Sequence, residues 1–433
     1  MVRAELLETK GRVLVLSAHN ILLDRRITAE ANTLAAAGYE VTIVSIPVQL
    51  RTHSLDPRVH LVMPESAGGP NGTGKPRPLE AAARAARRFL PYPCFLAVKA
   101  VWRRFCQLRF DPFHLDFFLE NTPAARYDFI HCHDLNTLPA GAALRNRHSP
   151  GAAVVYDSHE LFPYQTPERN VQRWWEEIER RYIAAADAVV TVNESVAHII
   201  SSAYGVDEPL VLYNSCGAPR GAAGISQADF LEHFRAPAGG TRFLFQGSLG
   251  AERNLENLIE GFAAAGSGHR LFLLGGGPAE GRLRRICRQR GAGNVHFGGW
   301  VGQDELLSFA RFAHAGVIPY RDDGLLNNRY CTPNKLFEFL EAELPVCAAE
   351  LPEVRRIVKG SGVGEVYPMG TPGEVAAAVR DFSRRLEAGA FSREALGKAR
   401  CTYSWQRQAH ALVELYSKLG GKTANVRNRR NRR

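Results

Sequence analysis

Short runs of β-branched residues and leucine alternate with segments of helical spacing along most of the chain. The first run, Arg12–Ser17 (RVLVLS), follows Gly11 and reads as a strand. Arg26–Ala37 puts Ile27, Ala31, Leu34 and Ala35 on one helical face, and Gly38 stops it. Glu40–Ile46 (EVTIVSI) is the next strand, so the chain opens as a βαβ unit with a parallel sheet. Further strands are predicted at Val59–Met63, Asp128–His131, Ala152–Tyr156, Ala188–Val192 and Leu210–Tyr213. A Pro/Gly loop at 64–78 interrupts this series.

A second series begins after the Gly/Ala/Pro-rich stretch Cys216–Gly240. Its predicted strands are Arg242–Gln246, Arg270–Leu274, Asn294–Phe297, Gly316–Pro319 and Pro345–Ala348. Helical segments lie between them at Leu255–Ala265, Ala279–Gln289, Gln303–Phe312 and Asn334–Glu343. The fold class is therefore α/β, with two doubly wound, Rossmann-like units facing across a cleft. In such sheets ligands bind beyond the carboxyl ends of the strands, which selects the residues to read for chemistry.

Composition narrows the partners. The 433 residues are 45% apolar and carry a net charge of +10. Residues 75–109 hold nine basic side chains against one acid, Glu80, and the tail 421–433 holds six against none. These two segments exceed the whole excess, so the remaining body is net acidic and no specific nucleic-acid partner is expected. No apolar run approaches the roughly 18–20 residues of a bilayer span. The stretch Val13–Leu16 is too short for a signal-peptide core. The eight cysteines form no Cys-x-x-Cys and no cluster, which suits thiols in a reducing cytosol.

The strand ends carry the candidate chemistry. No Gly-x-Gly-x-x-Gly, P-loop or Asp-x-Asp occurs, which disfavours a dinucleotide dehydrogenase, a P-loop ATPase and a metal-bridged pyrophosphate site. The run His131-Cys132-His133-Asp134 follows one strand and Asp157-Ser158-His159-Glu160 another. His131 and His133 share a face and could pair on a metal, but no third ligand is visible, and no metal site is assigned. His159 lies between two acids, either of which could orient its ring. In the second unit Gly247-Ser248-Leu249-Gly250 precedes Arg253, a turn whose free N–H groups and cation favour an anion. Pro333 and Asn334 start a helix with Lys335 in its first turn, where a cation opposes the macrodipole unless an anion or solvent meets it. Glu338 follows about one turn on and is placed to accept ribose hydroxyl hydrogens.

Taken in order, RVLVLS with DRRI, FIHCHDLNTLP, YDSHELFP, ADAVVTVNESVA, VLYNS, FQGSLGAERNLENLIEGF, LLGGGP, VHFGGWV, PNKLFEFLEAELPV and the late Ser404-Trp405 resemble the retaining GT-B glycosyltransferases of family 4, the group 1 glycosyltransferases. The resemblance covers roughly residues 10–420, and YDSHELF and PNKLFE are similar to the subgroup common in bacterial surface-polysaccharide synthesis. It implies transfer of a sugar from a nucleoside-diphosphate sugar to a glycan or lipid-linked hydroxyl, with retention and without a metal or cofactor. It implies that His159 faces the transferred sugar, Arg253 binds the donor diphosphate and Glu338 holds the donor ribose. Gly247, Ser248, Gly275, Gly277, Val301, Asn334, Lys335 and Leu336 complete the implied donor side, and Asn20, Asp24, Arg25, His133, Asp134 and Glu160 the acceptor side. The family's usual arginine in its Gly-Arg-Leu turn is Ser248 here, and the first glutamate of its Glu-x7-Glu motif is Tyr330. Lys335 is a candidate replacement for the missing charge.

The implied domains are 1–215 for the acceptor, 216–400 for the nucleotide sugar, 401–420 as a helix returning to the first domain and 421–433 as a disordered basic tail. Leu79–Leu90 and Phe95–Cys106, within the insertion 75–110, make basic amphipathic stripes. They suit either docking on an anionic membrane surface, as a cytoplasmic enzyme peripheral to the inner face of the plasma membrane, or packing on the first sheet. A nucleotide-sugar epimerase or phosphorylase, and a non-catalytic sugar-nucleotide-binding subunit, are the competing readings.

Overall fold

The structure, a computed structural model, describes residues 9–19, 24–46, 55–64, 113–215 and 224–430. Apolar runs that scarcely alternate make strands covered on both faces. Seven of them form the first sheet: β1 (Arg12–Ser17), β2 (Glu40–Ser45), β3 (Val59–Val62), β4 (Phe129–His133), β5 (Ala153–Ser158), β6 (Ala188–Thr191) and β7 (Leu210–Val211). Their order is β3-β2-β1-β4-β5-β6-β7, with every pair parallel. The second sheet contains β8 (Thr241–Gln246), β9 (His269–Leu274), β10 (Val295–Gly299), β11 (Ala315–Ile318), β12 (Val346–Ala349) and β13 (Gly364–Tyr367). Its order is β10-β9-β8-β11-β12-β13, again all parallel. The strand order reverses beside β1 and beside β8, so each sheet opens a crevice where ligands bind in doubly wound folds.

Two local differences from the sequence pattern matter for the site. The helix Arg25–Ala36 starts one residue early because the Asp24 side chain accepts from the amides of Arg26 and Ile27, an N-cap. Strands β4 and β5 each run two residues further than their apolar runs, so His133, Asp157 and Ser158 lie inside the sheet and not in loops. The short strand β13 begins at a glycine and carries a half-buried Glu365, and the pattern missed it.

One face of the first sheet packs Leu14, Leu16, Ile130, Val154 and Tyr156 into a core. The other face packs Val13, Val15, Phe129 and Val155 against Ile27 and Leu34, and also against Leu412, Tyr416 and Leu419 of the last helix, Trp405–Arg430. The preceding helix, Arg393–Thr402, buries Leu396 and Ala399 in the core of the second domain. The chain therefore crosses back, and Trp405 Nε1 donates to Thr33 Oγ1 at 3.1 Å where it arrives. This last helix continues to Arg430, ten residues past the point where an unstructured tail was expected; no proline interrupts the stretch. The basic stripes Leu79–Leu90 and Phe95–Cys106, and Asn20, lie outside the described residues. No described helix is long and apolar enough to cross a membrane.

Leu412 is fully buried between the last helix and the first sheet. Leu412→Ala is expected to lower unfolding free energy by about 2–5 kcal/mol, the range for a leucine truncated in a core. Urea denaturation checks this; a midpoint equal to wild type would mean that the crossing helix does not belong to the first domain's core.

Candidate active site

At the end of β8 the chain turns through Gly247, at φ +121°. Gly275, after β9, has φ +125°, and a Cβ there would sit 2.0 Å from the Gly247 carbonyl oxygen. Only glycine tolerates both that backbone and that approach. The two turns form one wall of a cavity of about 390 Å³. Of the residues expected on the donor side, Gly247, Ser248, Arg253, Gly275, Val301, Asn334, Lys335 and Glu338 all line it. Gly277 does not; it lies against the Leu249 backbone. Leu336 does not either: its side chain is fully buried in the second core and its amide is bonded to the Pro333 carbonyl.

The cavity also contains residues that local pattern did not mark, among them Gln246, Tyr320 and Cys331, and Trp300 lines it beside the expected Val301. Trp300 is 74% exposed, and its indole edge lies over Gly276. Tyr330, at the position of the family's first glutamate, packs instead against the first domain's core.

The charges converge on one ring. The helix Asn334–Glu341 has no side-chain cap and no acid in its first turn. Lys335, in that turn, is 7% exposed, and its Nζ lies 4.5 Å from the Tyr320 ring centre and 4.9 Å from that of Phe245. It donates to the Tyr320 hydroxyl and, among the described residues, has no carboxylate partner. Arg253 stacks its guanidinium 4.7 Å from the same Tyr320 centre, with Nε 3.0 Å from Glu252. Glu338 accepts from Gln246 and lies 3.4 Å from Arg25 of the first domain, a pair that spans the cleft.

On the first-domain side, β4 and β5 end in register, His133 beside Asp157. Asp134 then takes φ +62°, a left-handed conformation uncommon outside glycine, which folds its carboxylate beneath His159. Asp134 accepts from the His159 amide at 3.0 Å and meets His19 Nε2 at 2.5 Å. The His159 ring has Asp157 3.3 Å from Nε2 and both Asp24 and Asp134 3.7 Å from Nδ1. Burial opposes charging of this ring, but Asp134 and Asp157 outweigh it and push its pKa up to about 10. His133 behaves oppositely: burial, then His131, push it down to about 3. Glu160 is not the acid that orients His159; it accepts from Asn327 at 2.6 Å, and its pKa is raised by burial and then by Asp134.

Two acceptor-side expectations are thereby corrected. His133 and Asp134 are buried behind His159 and His19, so they do not form the cleft surface. The sequence also gave no signal for Arg26, the residue that organises this end. It is 5% exposed and bidentate to Asp157, at 2.8 and 2.7 Å, and it also donates to the Leu212 carbonyl and Asn214. Asp157 is held well below the usual carboxylate range; burial opposes this, and Arg26 and then His159 overcome it.

Comparisons with known proteins agree with this architecture. A family model described as a glycosyl transferase 4-like domain matches residues 23–217, and one described as glycosyl transferases group 1 matches 240–384. The O-antigen chain mannosyltransferase C of Escherichia coli is 25% identical over 200 residues, 45% of this chain and 50% of that protein. The match thus spans about half that relative's length. Among solved structures, sucrose-phosphate synthase of Thermosynechococcus elongatus superposes with a TM-score of 0.66 at 17% identity, over 95% of this chain and 99% of that one. Anabaena HepE in complex with UDP does so at 0.62 and 12%, over 94% and 99%. At these identities the likeness is one of fold, and it is the two-domain GT-B fold.

Removing one partner of a buried ion pair leaves the other charge stranded, at a cost of about 3–5 kcal/mol. Arg26→Met is expected to destabilise the protein by that amount, whereas Arg25→Met, at a partly exposed pair, changes stability by under about 1 kcal/mol. Parallel urea melts of the two variants test the contrast; equal midpoints would remove Arg26 as the organising contact.

Proposed function

The chain belongs to the group 1 glycosyltransferases, its first part being a glycosyl transferase 4-like domain, and we propose that it moves a sugar from a nucleoside-diphosphate sugar to a hydroxyl of a glycan or lipid-linked acceptor, retaining anomeric configuration. One observation carries the reading: Arg253, Lys335 and Glu338 gather around a single cavity at the ends of β8 and β9, and Glu338 meets Arg25 of the first domain, whose neighbour Asp24 stands beside His159. The O-antigen mannosyltransferase relative supports a polysaccharide acceptor, and HepE, bound to UDP, supports a nucleotide donor.

Breaking the anomeric bond leaves an oxocarbenium-like sugar and a nucleoside diphosphate. The protein's main task is to stabilise that leaving charge. Arg253, Lys335 and the uncapped start of the helix Asn334–Glu341 supply fixed donors for it, so this reading gives the donor site neither a metal nor a cofactor. Glu338 accepts from the ribose hydroxyls, in place of Gln246 or Arg25. Trp300 offers its exposed face to the base.

Retaining hydrolases use two carboxyl groups about 5 Å apart to form a covalent sugar–enzyme. Among the described residues, Asp134 and Asp157 are buried around His159 and Arg26, and the carboxylates nearer the cleft are already engaged: Asp24 as a helix cap, Glu160 with Asn327, Glu338 with Gln246 and Arg25. This favours front-face attack, with the departing phosphate oxygen taking the acceptor proton. His159 would hydrogen-bond the sugar or diphosphate, and closure of the cleft would exclude water.

Loss of one preorganised donor typically costs about 10²–10³ in rate. Lys335→Ala and Arg253→Ala are each expected to lower kcat by that factor without added Mg²⁺ or Mn²⁺, and Glu338→Ala and His159→Ala to impair turnover. Ser248→Arg in the Lys335→Ala background should restore part of the lost rate. Near-normal transfer in all four single variants, assayed with a radiolabelled donor, would remove the assignment. An epimerised donor made without acceptor would move it to an epimerase, and nucleotide binding without turnover to a binding subunit.

Trp300→Ala is expected to raise the donor KM about tenfold with little change in kcat, in line with the roughly 1–3 kcal/mol of one base–aromatic stack. An unchanged KM would place the base elsewhere.

A further inference from the structure

We propose that Glu30, His131, His133 and Asp157 form a buried site for one zinc ion within the first domain, apart from the donor cavity. The sequence showed a His-x-His pair without a third ligand; folding supplies two. His131 and His133 lie on β4, Asp157 lies beside His133 on β5, and Glu30 comes from the helix Arg25–Ala36. One ligand atom from each lies within 4.8 Å of all the others.

All four residues are at most 1% exposed; both oxygens of Asp157 accept from Arg26, but the inward atoms of the other three lack partners. Both Glu30 carboxylate oxygens and the Nε2 atoms of His131 and His133 make no hydrogen bond. Glu30 Oε1 lies 3.0 Å from Arg26 Nε, but that N–H is directed to Asp157. Buried polar atoms are almost always satisfied, so four orphans pointing into one space indicate a missing partner.

The outward atoms, by contrast, are held. His131 Nδ1 meets the Tyr416 hydroxyl at 2.8 Å, His133 Nδ1 meets His159 Nε2 at 2.9 Å, and Asp157 is gripped by Arg26. Metal-bound histidines are oriented in this way, with the second ring nitrogen donating outward. The separations are 3.4 Å for His131 Nε2 to Glu30 Oε2, 4.0 Å for His133 Nε2 to the same oxygen and 3.7 Å for His131 Nε2 to Asp157 Oδ2. The edges of a zinc tetrahedron with about 2.0–2.1 Å bonds are roughly 3.3 Å, so binding draws the atoms together and tilts the stacked rings of His131 and His133, whose centres are 4.5 Å apart, until both lone pairs meet the ion. Two imidazoles and two carboxylates, closed to solvent, suit zinc; magnesium and calcium prefer oxygen ligands alone. The two carboxylates supply the negative charge that meets the ion, beside the Arg26 that already pairs with both. Ligation at His133 Nε2 puts Nδ1–H against His159 Nε2, which must then accept, so an occupied site and a charged His159 exclude one another.

The test uses the full chain, stripped with a chelator and then titrated with Zn²⁺ or Co²⁺. The expected result is one equivalent per chain by elemental analysis, a rise in melting temperature that saturates at that ratio, and no response to Mg²⁺. His131→Gln and Glu30→Gln, with folding checked by circular dichroism, should lose the equivalent, while His198→Ala, at an exposed histidine, should keep it. No bound equivalent and no melting shift in the wild-type chain at excess zinc would overturn the proposal and leave a shared proton as the occupant. Binding that persists in both cluster variants would also overturn it. These readouts are metal content and melting, so they stand or fall separately from sugar transfer.

Discussion

A guanidinium without access to water must have its charge met by fixed partners, and Arg26 meets that requirement by tying three segments together. Its fork closes on Asp157 of β5, and its remaining nitrogen reaches Leu212 and Asn214 beyond β7. These contacts pin the start of the first helix over the carboxyl end of the sheet. Asp24, the cap of that helix, is thereby brought toward His159, and Arg25 toward Glu338 in the other domain. The same Asp157 carboxylate stands beside His159, so one buried pair sets both the entry of the helix and the environment of the imidazole.

The sheet was legible because burial on both faces demands unbroken apolar runs, and those runs stand out between glycines. The ends of β4 and β5 were not, because there the buried residues are polar. His131, His133 and Asp157 continue the strands with side chains matched to one another and to Arg26, and hydropathy cannot distinguish such a strand end from a loop. In the second domain the cavity was largely readable: a glycine turn before Arg253 and a lysine in a helix's first turn are both local signals. Trp300 and Tyr320 come from other loops and reach the cavity only through the order of the strands. Glu30 is the extreme case, since nothing near it in sequence suggests two histidines a hundred residues away.

Apart from the apolar packing of Tyr330 and of the last helix on the first domain, many contacts between the domains are polar. Asn214 donates to Asn334, Asn327 to Glu160, Asn193 to the Tyr330 carbonyl, and Ser195 to Glu353. Interfaces of this kind hold domains less firmly than apolar ones and leave relative motion as the default. Asn334 and Glu338 belong to the helix that borders the cavity, and both bond across the gap. Any opening of the cleft therefore breaks contacts made by cavity residues themselves, so the geometry of the site and the closure of the domains are one equilibrium.

The substitution of Ser248 for the family's arginine follows from the same attention to where a side chain ends and not where it begins. Ser248 is exposed and short. Lys335 enters from the opposite wall, and its ammonium lies 3.5 Å from where a Gly247 Cβ would be, beside the same turn. That ammonium lies over the rings of Tyr320 and Phe245, which fixes the charge before any ligand arrives. Tyr320 carries Arg253 on its face as well, so two cations share one ring. Like charges held this close repel, and a lysine in a helix's first turn adds a further opposing field. On the proposed function, a diphosphate relieves both conflicts at once. The electrostatic tension at this lysine, which among the described residues has the Tyr320 hydroxyl and no carboxylate as partner, is thus the physical argument behind the proposed donor site at a changed glycine turn.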